Sequence, residues 1–285
     1  MEGVVSPVNV RKLNPEAGPY AAYGARLRTL RQQLGWRQRD LAERVGYKEP
    51  HISGVEVAVK KPTFRFSAAV DTAMGLTNTE QSFELELRKI KFGKLLEGFG
   101  EYLTYEAQAT EIRLYNIGIV PGLLQTEEYA RALARANARR GLITEAQAED
   151  RVRFLMERQQ RVEQPQPPMM LVILDESCVL RPIGGRAVME GQLEHLLDFA
   201  ARPNTVLQVA PFEIGELRTF DLPVNLLTMP DREVVCYAEA QTQGHLERET
   251  LSVAPMFTAY HQLQAEAHSQ RTSVALIRKL RKGTP

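Results

Sequence analysis

The sequence predicts an all-α domain built on a helix-turn-helix, followed by an α+β domain. Three observations carry this. Between about residues 21 and 76, short helical patterns are stopped in turn by Gly35, Gly46, Pro62 and Gly75. Within them, Gln38 to Glu56 spaces its apolar residues as two short helices that meet across a tight turn. Beyond residue 110 the pattern changes to short Val/Ile/Leu runs alternating with longer amphipathic stretches. A chain of 285 residues, 44% hydrophobic and 25% charged, has room for about two such domains at ~150 residues each.

Residues 1–20 hold Pro7, Pro15, Gly18 and Pro19 without apolar periodicity and read as a flexible lead-in. Tyr23, Leu27, Leu30 and Leu34 then form the stripe of a supporting helix ending at Gly35. In the next segment Leu41, Ala42, Val45, Ile52 and Val55 fall where two helices must touch. Ala42 is small at the crossing, and Gly46 takes the positive φ of the turn. Phe66, Val70 and Met74 stripe a further helix stopped by Gly75, closing a domain over 21–76. Thr77, Asn78 and Thr79 offer caps for a helix running through Phe92 with Phe83, Leu87 and Ile90 at helical spacing. Gly93, Gly98 and Gly100 loosen the pattern, so 77–104 reads as a helical connector.

Residues 105–285 form the α+β part. IRLYNIGIV, MMLVILDESCVL, TVLQVAPF, VNLLTM and EVVCYAEA read as strands, and VEQPQPPMM as a loop feeding the second. Thr126 to Arg140, Thr144 to Val162 and Gly185 to Ala201 read as helices, and one long last helix is expected over Val253 to Lys282. Thr126 caps the first of these, with Glu127 and Glu128 in its positively polarised first turn.

The net charge of +1 hides a segregation. Residues 1–75 hold 12 Lys/Arg against 7 Asp/Glu, and residues 76–285 hold 24 against 28. Nucleic-acid binding depends on where charge lies, so the basic part is the candidate surface. Cys178 and Cys236 lack the spacing of a disulfide framework or zinc site, and no metal is expected. No apolar run approaches the ~18 residues needed to span a bilayer, and the first residues lack a secretory pattern. A cytoplasmic, nucleoid-associated protein is expected, with no membrane contact.

From Tyr23 through Gly75 the residues resemble the XRE-type, phage-repressor-like regulators. The resemblance implies that Gln38 leads the positioning helix onto phosphate and that the helix starting near Lys48 enters the major groove by its N-terminal end. Lys48, His51 and Ser53 would then face double-stranded DNA, Glu49 would accept from a cytosine amino group, and Arg37, Arg39, Lys60, Lys61 and Arg65 would neutralise phosphates. Four positions depart from the pattern. Glu49, Pro50 and Gly54 stand where long polar or basic readers are usual, and Arg37 replaces a Ser or Thr cap.

EAQATEIRLYNIGIVPGLLQTEEYARALARA, LDESCVLRPIGG and LLDFAARPNTVLQVAPF resemble a domain of unknown function attached to XRE-type regulators in actinobacteria. The group is the WhiJ-like and Scr antitoxin-like one, which implies a small co-encoded partner protein and a link to development or antibiotic production. The residues themselves leave the domain's occupant open between that partner and a small-molecule effector. A ligand would need an enclosed apolar pocket, and a partner an exposed apolar groove or sheet edge.

No cofactor signature is legible: Gly184-Gly185 resembles no phosphate loop, and Glu194-His195 lacks metalloprotease spacing. Asp175 and Glu176 are the strongest acid pair for an enzyme, against a simpler reading as loop acids capping a helix or pairing with Arg181. Cys178 and Cys236 read as small core residues. The expectation is therefore a sequence-specific regulator rather than an enzyme. It is expected to be a homodimer, because one short recognition helix rarely provides enough contact. The alternative is an interaction module on a vestigial DNA-binding fold.

Overall fold

The computed structural model describes residues 18–77, 79–92, 99–162, 166–239 and 244–283. It separates into two compact units that divide between Gly93 and Lys94. The first is all-helical and the second mixes a sheet with helices, as the two sequence patterns predict.

Among the described residues, five helices make the first unit: α1 Pro19–Gln33, α2 Gln38–Val45, α3 Glu49–Glu56, α4 Phe64–Met74 and α5 Phe83–Phe92. Their stripes converge on one core of Tyr23, Leu27, Leu41, Ala42, Val45, Ile52, Val55, Phe66, Val70, Phe83 and Leu87. α5, expected in the connector, thus completes this core. Its cap differs from the expectation, and Asn78 lies outside the described residues. Ser82 Oγ accepts from Leu85 N–H at 3.2 Å, while buried Asp71 accepts from Ser82 Oγ–H (2.6 Å), Phe83 N–H (2.6 Å) and Glu84 N–H (3.0 Å). Tyr23 and Ser67 share a buried hydrogen bond of 2.8 Å that ties α1 to α4.

The second unit runs α6 Phe99–Glu106, β1 Glu111–Asn116, α7 Glu127–Arg139, α8 Glu145–Val162, β2 Met169–Asp175, α9 Ser177–Leu180, α10 Arg186–Ala200, β3 Thr205–Ala210, β4 Val224–Thr228, β5 Val234–Glu239, β6 Gly244–Glu247, α11 Thr250–Glu266 and α12 Gln270–Arg281. The sheet order is β3-β2-β1-β4-β5-β6. β1, β2 and β3 are parallel, joined by helical crossovers, and β4, β5 and β6 continue the sheet antiparallel. Alternation along the strands splits the apolar residues into two layers. Ile112, Leu114, Val172, Leu174, Leu207 and Tyr237 meet α6, α7, α10 and α12 on one face. Tyr115, Ile173, Leu226 and Cys236 meet Val253, Tyr260 and Leu263 of α11 on the other.

Three expectations are corrected here. The long last helix is two helices on opposite faces, because the chain between them pairs with the sheet: His268 N–H donates to Val209 O at 2.9 Å, and Ser269 Oγ then caps α12 by accepting from Thr272 N–H at 3.2 Å. α6 is an element of the second unit, and β6 is a strand with no apolar run in the sequence to predict it. The edge of β3 is blunted by the same break, since Ser273 Oγ accepts from Val209 N–H at 2.9 Å and Gln270 Oε1 from Leu207 N–H at 3.3 Å. The loop expected in VEQPQPPMM lies partly at 163–165, outside the described residues.

The corner VPGLLQT is held by side-chain amides. Gln192, fully buried on α10, accepts from Thr126 N–H (2.8 Å) and donates to Leu124 O (2.7 Å). Gln125 donates to Val120 O (2.7 Å), and Gln159 donates to Gly122 O (2.7 Å) and Gln125 O (2.8 Å). Thr126 caps α7 by accepting from Tyr129 N–H. Irregular backbone inside a protein requires such partners. The distinctive motif is therefore a rigid corner between β1 and α7.

Candidate nucleic-acid interface

α2 and α3 are joined by a turn in which Gly46 takes φ 71°, ψ 31°, and Tyr47 N–H donates to Ala42 O at 3.0 Å. A side chain at Gly46 would be strained there. Arg37 stands at the N-cap of α2, and the usual Ser or Thr is replaced from the other direction: Arg37 N–H donates to Asp40 Oδ2 at 2.7 Å. Ile52 and Val55 point into the core, which turns the opposite side of α3 outward.

The packing of α1 against α3 depends on Gly24. A Cβ there would lie 2.4 Å from Val55 O and 2.7 Å from Glu56 O, so only glycine permits the approach. The same junction contains a fully buried Glu56. Its carboxylate accepts from Arg31 Nε (2.5 Å) and Nη2 (3.1 Å), from Arg28 Nε (3.2 Å) and from Gln38 Nε2 (2.7 Å). Arg31 also donates to Trp36 O at 2.6 Å, at the entry to α2. A buried carboxylate is tolerable because these donors satisfy it. No local sequence signal marks either Gly24 or the Glu56 cluster, since the partners of Glu56 are 18 to 28 residues away in the chain and those of Gly24 lie on a different helix.

The candidate contact residues divide into two sets. Lys48, Glu49 and Pro50 are exposed at the leading end of α3, and Arg37, Arg39, Lys60, Lys61 and Arg65 are exposed around it. Ser53 is half-buried on the same helix. Arg39 is paired with Glu43 at 3.0 Å, and Lys61 Nζ stands 5.2 Å from the Tyr20 ring centroid. Gln38 and His51 are placed otherwise than expected. One amide N–H of Gln38 is spent on Glu56. The His51 ring packs on Tyr47 (4.7 Å between centroids) and Phe66 (5.1 Å), and its Nε2 is buried. Burial, reinforced by the Lys60 charge, pushes the His51 pKa down, so the ring is neutral at pH 7.

Gly54 has a reason in Lys60. A Cβ at Gly54 would lie 3.0 Å from Lys60 Cγ and 3.1 Å from Cδ, and Lys60 N–H donates to Gly54 O at 2.9 Å. The lysine stem thus lies over the position whose own side chain is missing, and brings a cation to the surface of α3 from the following loop.

In the second unit the acid pair is occupied locally. Asp175 Oδ1 accepts from Ser177 N–H at 3.0 Å and from its hydroxyl, and Glu176 Oε2 accepts from Phe212 N–H at 2.9 Å. Burial pushes the Cys178 thiol up to about 12 and that of Cys236 up to about 11. Both thiols therefore stay protonated at neutral pH. A half-open cavity of about 450 Å³ is lined by Leu123, Gln159, Met170, His195, Phe199 and Thr205. It lies at the starting ends of β2 and β3, opposite the end where open α/β sheets usually bind ligands. Among the described residues there is no cluster with metal-ligand composition and no helix long and apolar enough to cross a membrane.

Comparison with known families agrees with this division. Residues 22–82 match a helix-turn-helix domain, and residues 99–279 match a domain of unknown function, DUF5753. No curated protein and no solved structure gives a significant match.

Proposed function

The chain belongs to the DUF5753 family and carries a helix-turn-helix domain ahead of that region, and from this premise we propose that it is a sequence-specific transcriptional regulator acting at the nucleoid. α3 enters the major groove by its Lys48 end, and Glu49 and Ser53 read base edges. Arg37, Arg39, Lys48, Lys60 and Lys61 neutralise phosphates. Gln38 and His51 act behind this surface: Gln38 ties α2 to the buried Glu56, and His51 wedges α3 against Tyr47 and Phe66. The observation that carries the reading is that α2 and α3 interlock across Gly46 while the leading end of α3 stays exposed among cations. Asp175 and Glu176, the acid pair an enzyme would use, are both engaged by local N–H donors, which supports the regulator reading over the catalytic one.

Two copies bind two half-sites, and the DUF5753 domain supplies protein contacts, the small co-encoded partner implied by the antitoxin-like resemblance among them. A small-molecule effector is the second reading, favoured by a cavity whose 450 Å³ falls within the usual range for ligand sites. The test begins with genome-wide capture of bound DNA, followed by gel-shift titration of a captured fragment across salt. Each lost phosphate contact should flatten the log K against log salt slope by about 1, so Lys48→Ala with Lys60→Ala should flatten it by about 2. Failure to shift any captured fragment, or an unchanged slope, rejects the assignment and favours the interaction-module alternative.

A further inference from the structure

α11 is unusual among the long helices of this chain. From Thr250 to Ala265 it contains no Lys, Arg, Asp or Glu, whereas α8, of similar length, has eight such residues. Only part of this is explained by burial. Val253, Tyr260 and Leu263 pack on the sheet, but Leu251, Ala254, Pro255, Thr258, Gln262 and Ala265 are exposed, and helical geometry puts these six on the opposite face. Leu251 is 82% exposed.

The apolar surface continues sideways. Thr219 Oγ donates to Ala259 O at 2.9 Å, and Ile214 and Phe220 pack in the same cluster as Phe257 and Ala259. This seats the 212–222 segment along α11, where it adds exposed Phe212 (58%), Leu217 and Leu222. Exposed Glu213, Glu216 and Asp221 alternate with these apolar residues along the segment, so the charge-poor part of the surface is the face of α11 itself.

The lack of charge on the α11 face favours one occupant. A two-fold contact sets a patch against its own copy, so any exposed charge near the axis meets a like charge. A helix as charged as α8 would be penalised in that way, and the α11 face would not. A helix of 17 residues is about 25 Å long, enough with the flanking segment to form the centre of a standard interface. We propose that the outer face of α11, with Phe212, Leu217 and Leu222 beside it, docks a second copy of this chain in an isologous contact. The proposal rests on the two-copy reading above and assigns its surface.

The test is sedimentation of the full chain at micromolar concentration, without DNA. The wild type should sediment as a dimer, and Leu251→Arg should weaken association about a hundredfold by placing two like charges at the contact. Ala254→Arg should do the same, and Leu142→Arg, at an exposed leucine in the α7–α8 turn, should not. All three positions but Ala254 carry large exposed side chains, and circular dichroism melts check that every variant is folded. A monomeric wild type, equal association of wild type and Leu251→Arg, or equal loss from Leu142→Arg overturns the proposal. A gel shift on captured DNA is read separately. A monomer that still binds DNA discards the interface and keeps the regulator, and an α11-dependent dimer that binds none does the reverse.

Discussion

At the residue scale, the surface of α3 is shaped by what lies behind it. His51 illustrates the point, since its position in the first turn of α3 suggests a base reader while its ring is packed against both Tyr47 and Phe66. Its pKa is lowered by burial and by Lys60, so the folded state favours the neutral ring. The sign follows from linkage. A histidine with a depressed folded pKa contributes stability above its unfolded value of about 6.5, and that contribution is lost as pH falls through the folded value. The helix-turn-helix unit should therefore melt at lower temperature as pH drops from about 7 to about 5, and His51→Phe should flatten that dependence. Because the ring is neutral at pH 7, the same variant should leave the salt slope of DNA binding unchanged. A steeper salt slope in the wild type than in His51→Phe would show that the imidazole does carry charge to the phosphates. The sequence displays both His51 on a helix start and Phe66 on a later helix stripe, but not that the two rings meet, because they are 15 residues apart and on different helices.

At the scale of elements, periodicity and stop signals locate most of the fold. The stripes of α1 to α5, the five apolar strand runs and the Thr126 cap are all short-range patterns, and the structure has elements at each. What escapes is decided by partners remote in sequence. β6 is four residues long and exists by pairing with β5, and the break between α11 and α12 depends on His268 reaching Val209. Gly24 is the sharpest case, because a glycine inside a helix reads as a weakness. In the structure it is the contact point of α1 with the backbone of α3. Gly24→Ala improves helix propensity and nonetheless should destabilise the unit by about 1–3 kcal/mol, since the new methyl meets carbonyl oxygens rather than flexible side chains. Urea unfolding of the two proteins measures this. If the alanine variant is as stable as the wild type or more so, the close approach is not a feature of the native packing. Its DNA affinity should fall too, because α3 must shift to admit the methyl.

At the scale of the whole molecule, the chain segregates both its cores and its charge. The apolar cluster of the first unit and those of the second are built from separate stretches of sequence, on either side of Gly93. The excess of cations in residues 1–75 and of acids in residues 76–285 concentrates attraction to DNA in one unit and solvates the other. Separate cores imply separate melting, since cooperativity follows shared packing. Scanning calorimetry should resolve two transitions, with Gly24→Ala lowering one of them by about 5–15 °C and leaving the other in place. Dimerisation through α11 adds a second signature. Folding linked to association gains stability with protein concentration, so the transition that Gly24→Ala does not move should rise as the protein is concentrated. Leu251→Arg should abolish that rise without touching the first transition. A single transition that responds to both substitutions would mean that the two units unfold as one, and a concentration dependence confined to the Gly24-sensitive transition would place the dimer contact in the helix-turn-helix unit instead.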